Sequence, residues 1–213
     1  MVRFEEFENV LSPAEAADII AFAQEKGMKR SQVVNFLNPV SKVRTSTNTF
    51  MNEGEFTPAV RRLANFVAEK TGYPVRNQQW QIVHYNPGQQ YKVHHDGMGR
   101  MYTMFVYLNT VKGKGGETNF PNAKRKFKPV LGNAVLWTNY HVQRWMGADW
   151  MVQDTEANHA GLPPKEGEKW GINVWVLDDK HWKWDHVEMA LDGLTYLLMA
   201  VIVLALAYEA IAA

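Results

Sequence analysis

The sequence contains no cysteine and carries almost no net charge, and each absence excludes a class of protein. Disulfide scaffolds and thiolate metal sites are ruled out, and nothing commits the fold to an oxidising compartment. Lys and Arg number 23 against 22 Asp and Glu, so no overall charge attracts the chain to nucleic acid or to anionic lipid. The 213 residues contain no internal repeat or low-complexity segment, and this length predicts one domain with a substantial core.

The two ends of the chain differ in their apolar content. Residues 1–6 lack the apolar stretch of a signal peptide, so we expect a location in the cytoplasm or on the cytoplasmic face of a membrane. Residues 193–208 carry no charge and are apolar on all sides, which is not the pattern of an ordinary surface helix. We therefore predict a hydrophobic helix over 187–213, added to a domain over 1–186. This helix either anchors the chain in a membrane or packs against the domain or a second copy of the chain.

Two helices and a series of short strands are predicted between these ends. One helix begins at the capping box Ser12-Pro13-Ala14-Glu15 and stops near Gly27, and a second runs from Thr57-Pro58 to Gly72. From Asn77 onward, apolar runs separated by Gly, Pro, Asn and Asp predict strands over 79–85, 101–109, 126–130, 133–138 and 169–177. We predict an α+β, mainly β fold, with a β-sandwich or jelly roll over 77–178 and helical support over 1–76.

The stretch from Gln90 to Gly97 carries the strongest chemical signal. If it is a strand, His94 and Asp96 share one face, because successive side chains point to opposite sides. A histidine and a carboxylate on rigid backbone supply two ligands of a facial metal triad, an arrangement that suits non-haem Fe(II). His159 is a candidate third ligand, and Lys169 follows it at ten residues among apolar neighbours. Three metal ligands and one buried cation are what an oxygenase needs to bind iron together with a keto acid.

At these residues the chain resembles the prolyl 4-hydroxylase group of Fe(II)/2-oxoglutarate dioxygenases. The likeness rests on His94-x-Asp96, on the run from Gly115 to Pro121, and on the spacing of His159 and Lys169. Arg44-Thr45-Ser46 and the turn from Tyr85 to Gln89 add to it. The resemblance covers residues 5–178, and it implies a double-stranded β-helix, the jelly roll of that family.

The resemblance also implies the cofactors and the residues that bind them. His94, Asp96 and His159 are expected to hold Fe(II), with 2-oxoglutarate and O2 as co-substrates and ascorbate as a reductant. Lys169 is expected to bind the far carboxylate of 2-oxoglutarate, and the Tyr85 hydroxyl to donate a second hydrogen bond to it.

Further family positions have both a functional and a structural interpretation. Tyr107 and Trp175 are candidate neighbours of the keto acid, although buried aromatics are commonly core residues. Arg100 is a candidate catalytic residue near a peptide groove, although an arginine on a loop is ordinarily solvated. Arg44-Thr45-Ser46 either forms a strand edge or lies at the mouth of the pocket. Glu117 is expected to hold a loop.

The reaction that the resemblance implies is 4-hydroxylation of proline in a protein or peptide, with release of succinate and CO2. Two alternatives stay open: the same chemistry on another residue or a small molecule, and a non-catalytic metal-binding jelly roll. Departures from the family pattern bear on the substrate. Gly97 stands where an aromatic is usual, Leu162 replaces a cysteine, and the segment 140–158 is longer than expected.

Overall fold

The computed structural model describes residues 2–31, 43–97, 99–145 and 148–178, and for residues 144, 145 and 148–150 it describes the backbone alone. Residues Met1–Asp178 form one compact unit. Neither the predicted boundary at residue 186 nor the predicted helix over 187–213 falls within the described residues. Among the helices that are described, none is long and apolar enough to cross a membrane.

Both helices predicted in the N-terminal part are confirmed. The first, α1, spans Pro13–Lys26, and its capping box is complete, since Ser12 and Glu15 exchange hydrogen bonds. It ends at Gly27, whose φ of 92° suits a residue without a Cβ. The second, α2, spans Pro58–Thr71, with Thr57 as its N-cap and the left-handed Gly72 at its end.

Thirteen strands form two antiparallel sheets and a separate hairpin among the described residues. The strands are β1 (Phe4–Phe7), β2 (Lys29–Arg30), β3 (Thr47–Met51), β4 (Gln78–Tyr85), β5 (Tyr91–His94), β6 (Arg100–Tyr107), β7 (Thr118–Phe120), β8 (Arg125–Phe127), β9 (Ala134–Thr138), β10 (Tyr140–Trp145), β11 (Ala148–Gln153), β12 (His159–Gly161) and β13 (Lys169–Leu177). The major sheet has the order β1-β9-β6-β13-β4-β3-β2, the minor sheet the order β5-β12-β7-β8, and β10 pairs with β11. The fold is therefore mainly β.

The two faces of the major sheet have different partners. On one face, Met104 and Val106 of β6 and Ile172 and Val174 of β13 pack in a core with the buried side chains of both helices. On the other face, the alternate residues Phe105 and Tyr107 belong to a second core that includes Phe120 and Phe127 of the minor sheet. The second core lies between the two sheets, which is the arrangement of a jelly roll, and the candidate site opens into it.

The N-terminal segment contributes strands as well as helices, which differs from the helical support expected over 1–76. β1 pairs with β9, placing Phe4 opposite Trp137, and the Phe4 ring lies 4.8 Å from that of Phe120. β3 pairs with β4, and β2 continues the sheet beyond it. These strands are two to five residues long. Runs this short carry little periodicity, so their partners elsewhere in the chain decide their structure.

Candidate active site

Three metal-ligating side chains meet at one end of the minor sheet. His94 ends β5 and His159 begins β12, and the two are direct partners in the ladder between these strands. Asp96 lies two residues beyond His94, and its two carboxylate oxygens each lie 3.7 Å from the Nε2 atom of one histidine. One potential ligand atom from each of the three residues falls within 4.8 Å of the others. Sequence order and strand pairing thus bring the three predicted ligands together.

Hydrogen bonds orient both imidazole rings for metal binding. Nδ1 of His94 lies 2.8 Å from the Lys92 carbonyl oxygen, and Nδ1 of His159 lies 2.9 Å from that of Ala157. A carbonyl oxygen only accepts, so each Nδ1 carries a proton, and in the neutral ring the Nε2 atom on the Asp96 side is the one left to bind a metal. A ligating histidine commonly donates its other N–H to a backbone carbonyl in this way.

The charge states also fit Fe(II). Burial lowers the pKa of His159 to about 4, so its imidazole is neutral at pH 7. Burial would raise the pKa of Asp96, but the neighbouring histidines and the Arg100 guanidinium hold it well below its usual range. Two imidazoles and one ionised carboxylate, close enough to bind one metal ion together, form the donor set of a non-haem Fe(II) site. The residues present therefore fit this metal.

A buried lysine lies on the opposite wall of the same cavity. Lys169 begins β13, pairs with Tyr85 of β4, and is 1% exposed. Its Nζ lies 4.9 Å from the centre of the Phe105 ring and 5.4 Å from that of Tyr85, and no described acidic side chain forms an ion pair with it. Burial lowers the pKa of Lys169 to about 7, against the opposing effect of Glu117. A buried cation without an anion is suited to binding an anionic ligand.

The comparisons with known proteins agree with this geometry. Residues 80–177 match the family profile described as the 2OG-Fe(II) oxygenase superfamily. Prolyl 4-hydroxylase 2 of Arabidopsis thaliana is 30% identical over 208 residues, covering 81% of this chain and 66% of the relative. Probable prolyl 4-hydroxylase 6 of the same plant is 30% identical over 202 residues, covering 80% and 67%. The chain thus spans about two thirds of the length of these relatives.

A solved structure is also similar. The viral collagen prolyl hydroxylase of Paramecium Bursaria Chlorella virus-1, in its 2OG complex, is 28% identical, with a TM-score of 0.65 and coverage of 81% of this chain and 94% of that chain. The chain belongs to the prolyl 4-hydroxylase family of 2OG-Fe(II) oxygenases.

The structure places Trp175 and Arg100 together beside the metal ligands. Trp175 lines the cavity, and its indole N–H is buried without a hydrogen-bond partner among the described residues. The Arg100 guanidinium lies 4.0 Å above the Trp175 ring, and its Nη1 donates to the Asp96 carbonyl oxygen at 2.8 Å. Arg100 therefore contacts the backbone of Asp96 and stacks on Trp175, so it is placed to influence both a candidate metal ligand and the cavity wall.

Tyr107 occupies a different position from the one expected for a co-substrate ligand. Its hydroxyl lies 2.8 Å from Thr118 Oγ1 and 3.1 Å from the Phe127 carbonyl oxygen, within the core between the sheets. Tyr107 is not among the residues that line the cavity. The centre of its ring lies 5.5 Å from Lys169 Nζ, so Tyr107 packs beside the lysine in the core between the sheets. The Phe127 carbonyl oxygen only accepts, so it takes the single hydroxyl hydrogen of Tyr107 and leaves none to donate to a carboxylate ligand.

Several residues that the sequence did not single out complete the cavity wall. They share a position on strand faces directed between the sheets, and they are Tyr91, Phe105, Thr118, Trp137, Gly161 and Asn173. Thr118 belongs to the family run from Gly115 to Pro121, which could have identified it. Gly161 lies against Tyr85, whose hydroxyl oxygen would be 3.2 Å from a Cβ at that position. A glycine there leaves room for the Tyr85 side chain.

Two of the departures from the family pattern are Gly97 and the long segment after residue 140. Gly97 has a φ of 30°, and a Cβ there would meet only Gln153 Nε2, at 3.9 Å. The long segment after residue 140 forms the β10–β11 hairpin. Arg44 forms an isolated bridge to Tyr91, so the Arg44-Thr45-Ser46 triplet is both a strand edge and a neighbour of the cavity wall.

Proposed function

We propose that the protein hydroxylates proline residues in a protein or peptide, using Fe(II), 2-oxoglutarate and O2. The observation that carries the proposal is a single cavity lined by His94, Asp96 and His159 on one side and on the other by the buried Lys169, which forms no ion pair among the described residues. The reaction consumes one C–H bond, 2-oxoglutarate and O2, and it yields the hydroxylated product, succinate and CO2.

The residues of the cavity have separable roles in this reaction. The Nε2 atoms of His94 and His159 and the Asp96 carboxylate would hold Fe(II), which supplies O2 activation for C–H hydroxylation when bound. Lys169 binds the far carboxylate of 2-oxoglutarate. Burial raises the pKa of Tyr85, so its hydroxyl stays protonated and donates to the same carboxylate. The aromatic side chains of the wall exclude water from the site.

The polar groups next to the cavity support a peptide as the substrate. The guanidinium of Arg44 lies 4.6 Å above the Tyr91 ring, and its Nη2 donates to Gln81 Oε1 at 2.8 Å. Asn173 lines the cavity and contacts the same Gln81 oxygen at 3.4 Å. The Asn173 side-chain amide is the member of this network that lines the cavity, and it can both donate and accept, as can the amide groups of a peptide. The names of the relatives, which are prolyl hydroxylases, support proline as the residue modified.

The proposal is tested by an oxygenase assay over a peptide panel. The purified protein, with Fe(II), 2-oxoglutarate and ascorbate, is incubated with proline-rich peptides, the same peptides with Pro replaced by Ala, and free proline. We expect succinate release together with the mass gain of one oxygen atom, only on proline-containing peptides. Hydroxylation of the Ala peptides or of free proline would identify the alternative substrates. Absence of 2-oxoglutarate turnover under every condition would refute the enzymatic assignment.

We also propose that residues 187–213 form a hydrophobic helix that attaches the chain to a membrane or to a second copy of itself. The support is the 16-residue uncharged run over 193–208 in the sequence. A location in the cytoplasm or on the cytoplasmic face of a membrane is proposed on the absence of cysteine.

A further inference from the structure

Asn139 is fully buried between β9 and β10, and three of the four hydrogen-bonding positions of its side-chain amide, including both N–H donors, are occupied. Its Nδ2 donates to the Arg100 carbonyl oxygen at 2.9 Å and to Thr103 Oγ1 at 2.8 Å. Its Oδ1 accepts from the indole N–H of Trp137 at 2.8 Å. An amide satisfied in this way has one fixed orientation.

The orientation of the amide follows from the chemistry of its partners. A backbone carbonyl oxygen only accepts, so the atom beside Arg100 must be the NH2 group of Asn139. An indole N–H only donates, so the atom beside Trp137 must be the amide oxygen. The assignment of nitrogen and oxygen, which is often ambiguous for an asparagine side chain, is therefore unique here. The NH2 group is the one that faces Thr103.

This orientation fixes the direction of a hydrogen-bond relay to the metal site. Thr103 Oγ1 accepts from Asn139, so its single hydroxyl hydrogen is free to be donated elsewhere. Asp96 Oδ2 lies 2.7 Å away and is the acceptor. The relay therefore runs from Trp137 to Asn139, to Thr103 and to the Asp96 carboxylate. Each member is at most 6% exposed, so water does not compete for these bonds.

A second branch from Asn139 reaches His159 and the residue between the other two metal ligands. The Trp137 ring, held by its bond to Asn139, lies edge-on to the His159 imidazole at 4.8 Å. The backbone carbonyl of Asn139 lies 2.9 Å from Nε2 of His95, the residue between His94 and Asp96, and the Gly97 N–H lies 3.0 Å from Nδ1 of the same ring. One buried amide residue thus connects the supports of the metal carboxylate and of a metal histidine.

We propose that Asn139 is a positioning residue that sets the affinity of the metal site, by holding Asp96 through Thr103 and His159 through Trp137. The proposal rests on the Fe(II) site of the proposed function. It concerns metal binding, so it is testable without turnover. Groups that hydrogen-bond or orient metal ligands typically change metal affinity by about 10- to 100-fold when they are mutated.

The most direct variant is Asn139→Asp, which keeps the shape and replaces the NH2 group with an acceptor. The new oxygen faces the Arg100 carbonyl and competes with Asp96 for the Thr103 hydroxyl hydrogen. We expect Mn(II) and anaerobic Fe(II) to bind about 10- to 100-fold more weakly, by calorimetric titration of the metal-free protein. Asn77→Asp is the matched control, since Asn77 is also buried and its Nδ2 donates to the Leu177 carbonyl at 3.0 Å. Its metal affinity should stay within about threefold of wild type.

A double-mutant cycle separates positioning from general destabilisation. Thr103→Val removes the hydroxyl, and Thr103→Ser keeps it. If Asn139 acts through Thr103, then Asn139→Asp should have much less effect in the Thr103→Val background than in the wild type, and Thr103→Ser should retain most of the affinity. Additive losses would overturn the relay.

The remaining outcomes are equally decisive. Wild-type metal affinity in a folded Asn139→Asp protein, checked by circular dichroism, would overturn the proposal. Should that variant fail to fold, unchanged affinity in both Thr103→Val and Trp137→Phe would overturn it instead. Wild-type protein that binds neither metal would refute the proposed function itself, which is a different result from an unaffected variant.

Discussion

The candidate metal ligands and Lys169, the proposed anchor for 2-oxoglutarate, face one cavity from two different sheets, and the molecule holds them by different means. His94 and His159 lie on strands of four and three residues in the minor sheet, and Asp96 lies beyond the end of its strand. Lys169 and Tyr85 lie on strands of nine and eight residues in the major sheet, where β13 pairs along its length with β4 and β6. The ligands are therefore at the ends of short strands, whereas Lys169 and Tyr85 form the terminal pair of a long ladder.

This difference determines what each half of the site depends on. The metal ligands are oriented by side-chain hydrogen bonds, to the Lys92 and Ala157 carbonyls for the histidines and to Thr103 for the carboxylate. The anchor is positioned by backbone register, and its environment is shaped by packing. A Cβ on Gly171 would lie 2.3 Å from the Phe105 ring that contacts Lys169, so this packing is close. Substitutions on the two sides should therefore separate metal binding from 2-oxoglutarate binding.

The largest effect is expected for Asp96→Ala. This substitution removes the only carboxylate of the facial triad and leaves two imidazoles, which lack the third donor and the negative charge of the non-haem Fe(II) donor set. We expect the variant to lose metal binding, and with it the visible charge-transfer band that Fe(II) and 2-oxoglutarate give together without oxygen. His94→Ala and His159→Ala should do the same. A wild-type-like band in the Asp96 variant would contradict the assignment of the metal site.

The second largest effect is expected for Lys169→Ala, on the major-sheet side of the cavity. Removing one partner of a buried ion pair costs about 3–5 kcal/mol, so the affinity for 2-oxoglutarate should fall several hundredfold or more. Metal affinity, measured in the absence of 2-oxoglutarate, should stay within about threefold. The exposed neighbour Lys165 gives a matched control, and Lys165→Ala should bind 2-oxoglutarate normally. Binding within threefold of wild type in Lys169→Ala would place the anchor elsewhere.

A smaller effect, of up to about tenfold per pH unit, is expected from the titration of the anchor. Because burial lowers the pKa of Lys169 to about 7, the free protein loses this proton as the pH rises above 7. Carboxylate binding favours the charged form, so the affinity for 2-oxoglutarate should fall between pH 7 and pH 9 and change little below pH 6. Calorimetry on the Mn(II)-loaded protein measures this profile.

Lys169→Arg is the control for the pH profile. An arginine stays charged throughout this range, so the variant should bind 2-oxoglutarate with an affinity that does not change with pH. A flat profile in the wild type would show that Lys169 is already charged in the free protein.

The sequence predicted most reliably the parts of the site that lie on a long strand or in a motif with fixed spacing. The strand over Lys169–Leu177 was predicted with its observed bounds, because a long run between turn signals is distinctive. The metal ligands were found through the His94-x-Asp96 spacing and the family resemblance. Both signals are local in sequence, or are carried by a motif with fixed spacing.

The parts that the sequence did not predict depend on contacts between distant residues. β1 has its partner in β9, more than a hundred residues later, and nothing in four residues identifies that pairing. The Tyr107 hydroxyl was expected near the keto acid, but Thr118 and Phe127 surround it. Asn139 joins Thr103 across 36 residues, and an asparagine at the end of a strand ordinarily indicates a turn. Such side-chain partners become visible only once the sheets are assembled.

The smallest effect is expected from removing the C-terminal residues. This truncation tests whether the residues of the cavity are sufficient for 2-oxoglutarate turnover. Every metal ligand and anchor residue precedes Leu177, and Met1–Asp178 form one compact unit. We therefore expect a chain that ends at His186 to stay folded and to turn over 2-oxoglutarate within about threefold of the full-length rate. The full-length chain should partition into detergent or self-associate, because the uncharged run over 193–208 would otherwise expose a large apolar surface to water. Sedimentation with and without detergent compares the two proteins. A full-length chain that is a soluble monomer, together with a truncated chain that unfolds, would instead make residues 187–213 part of the core.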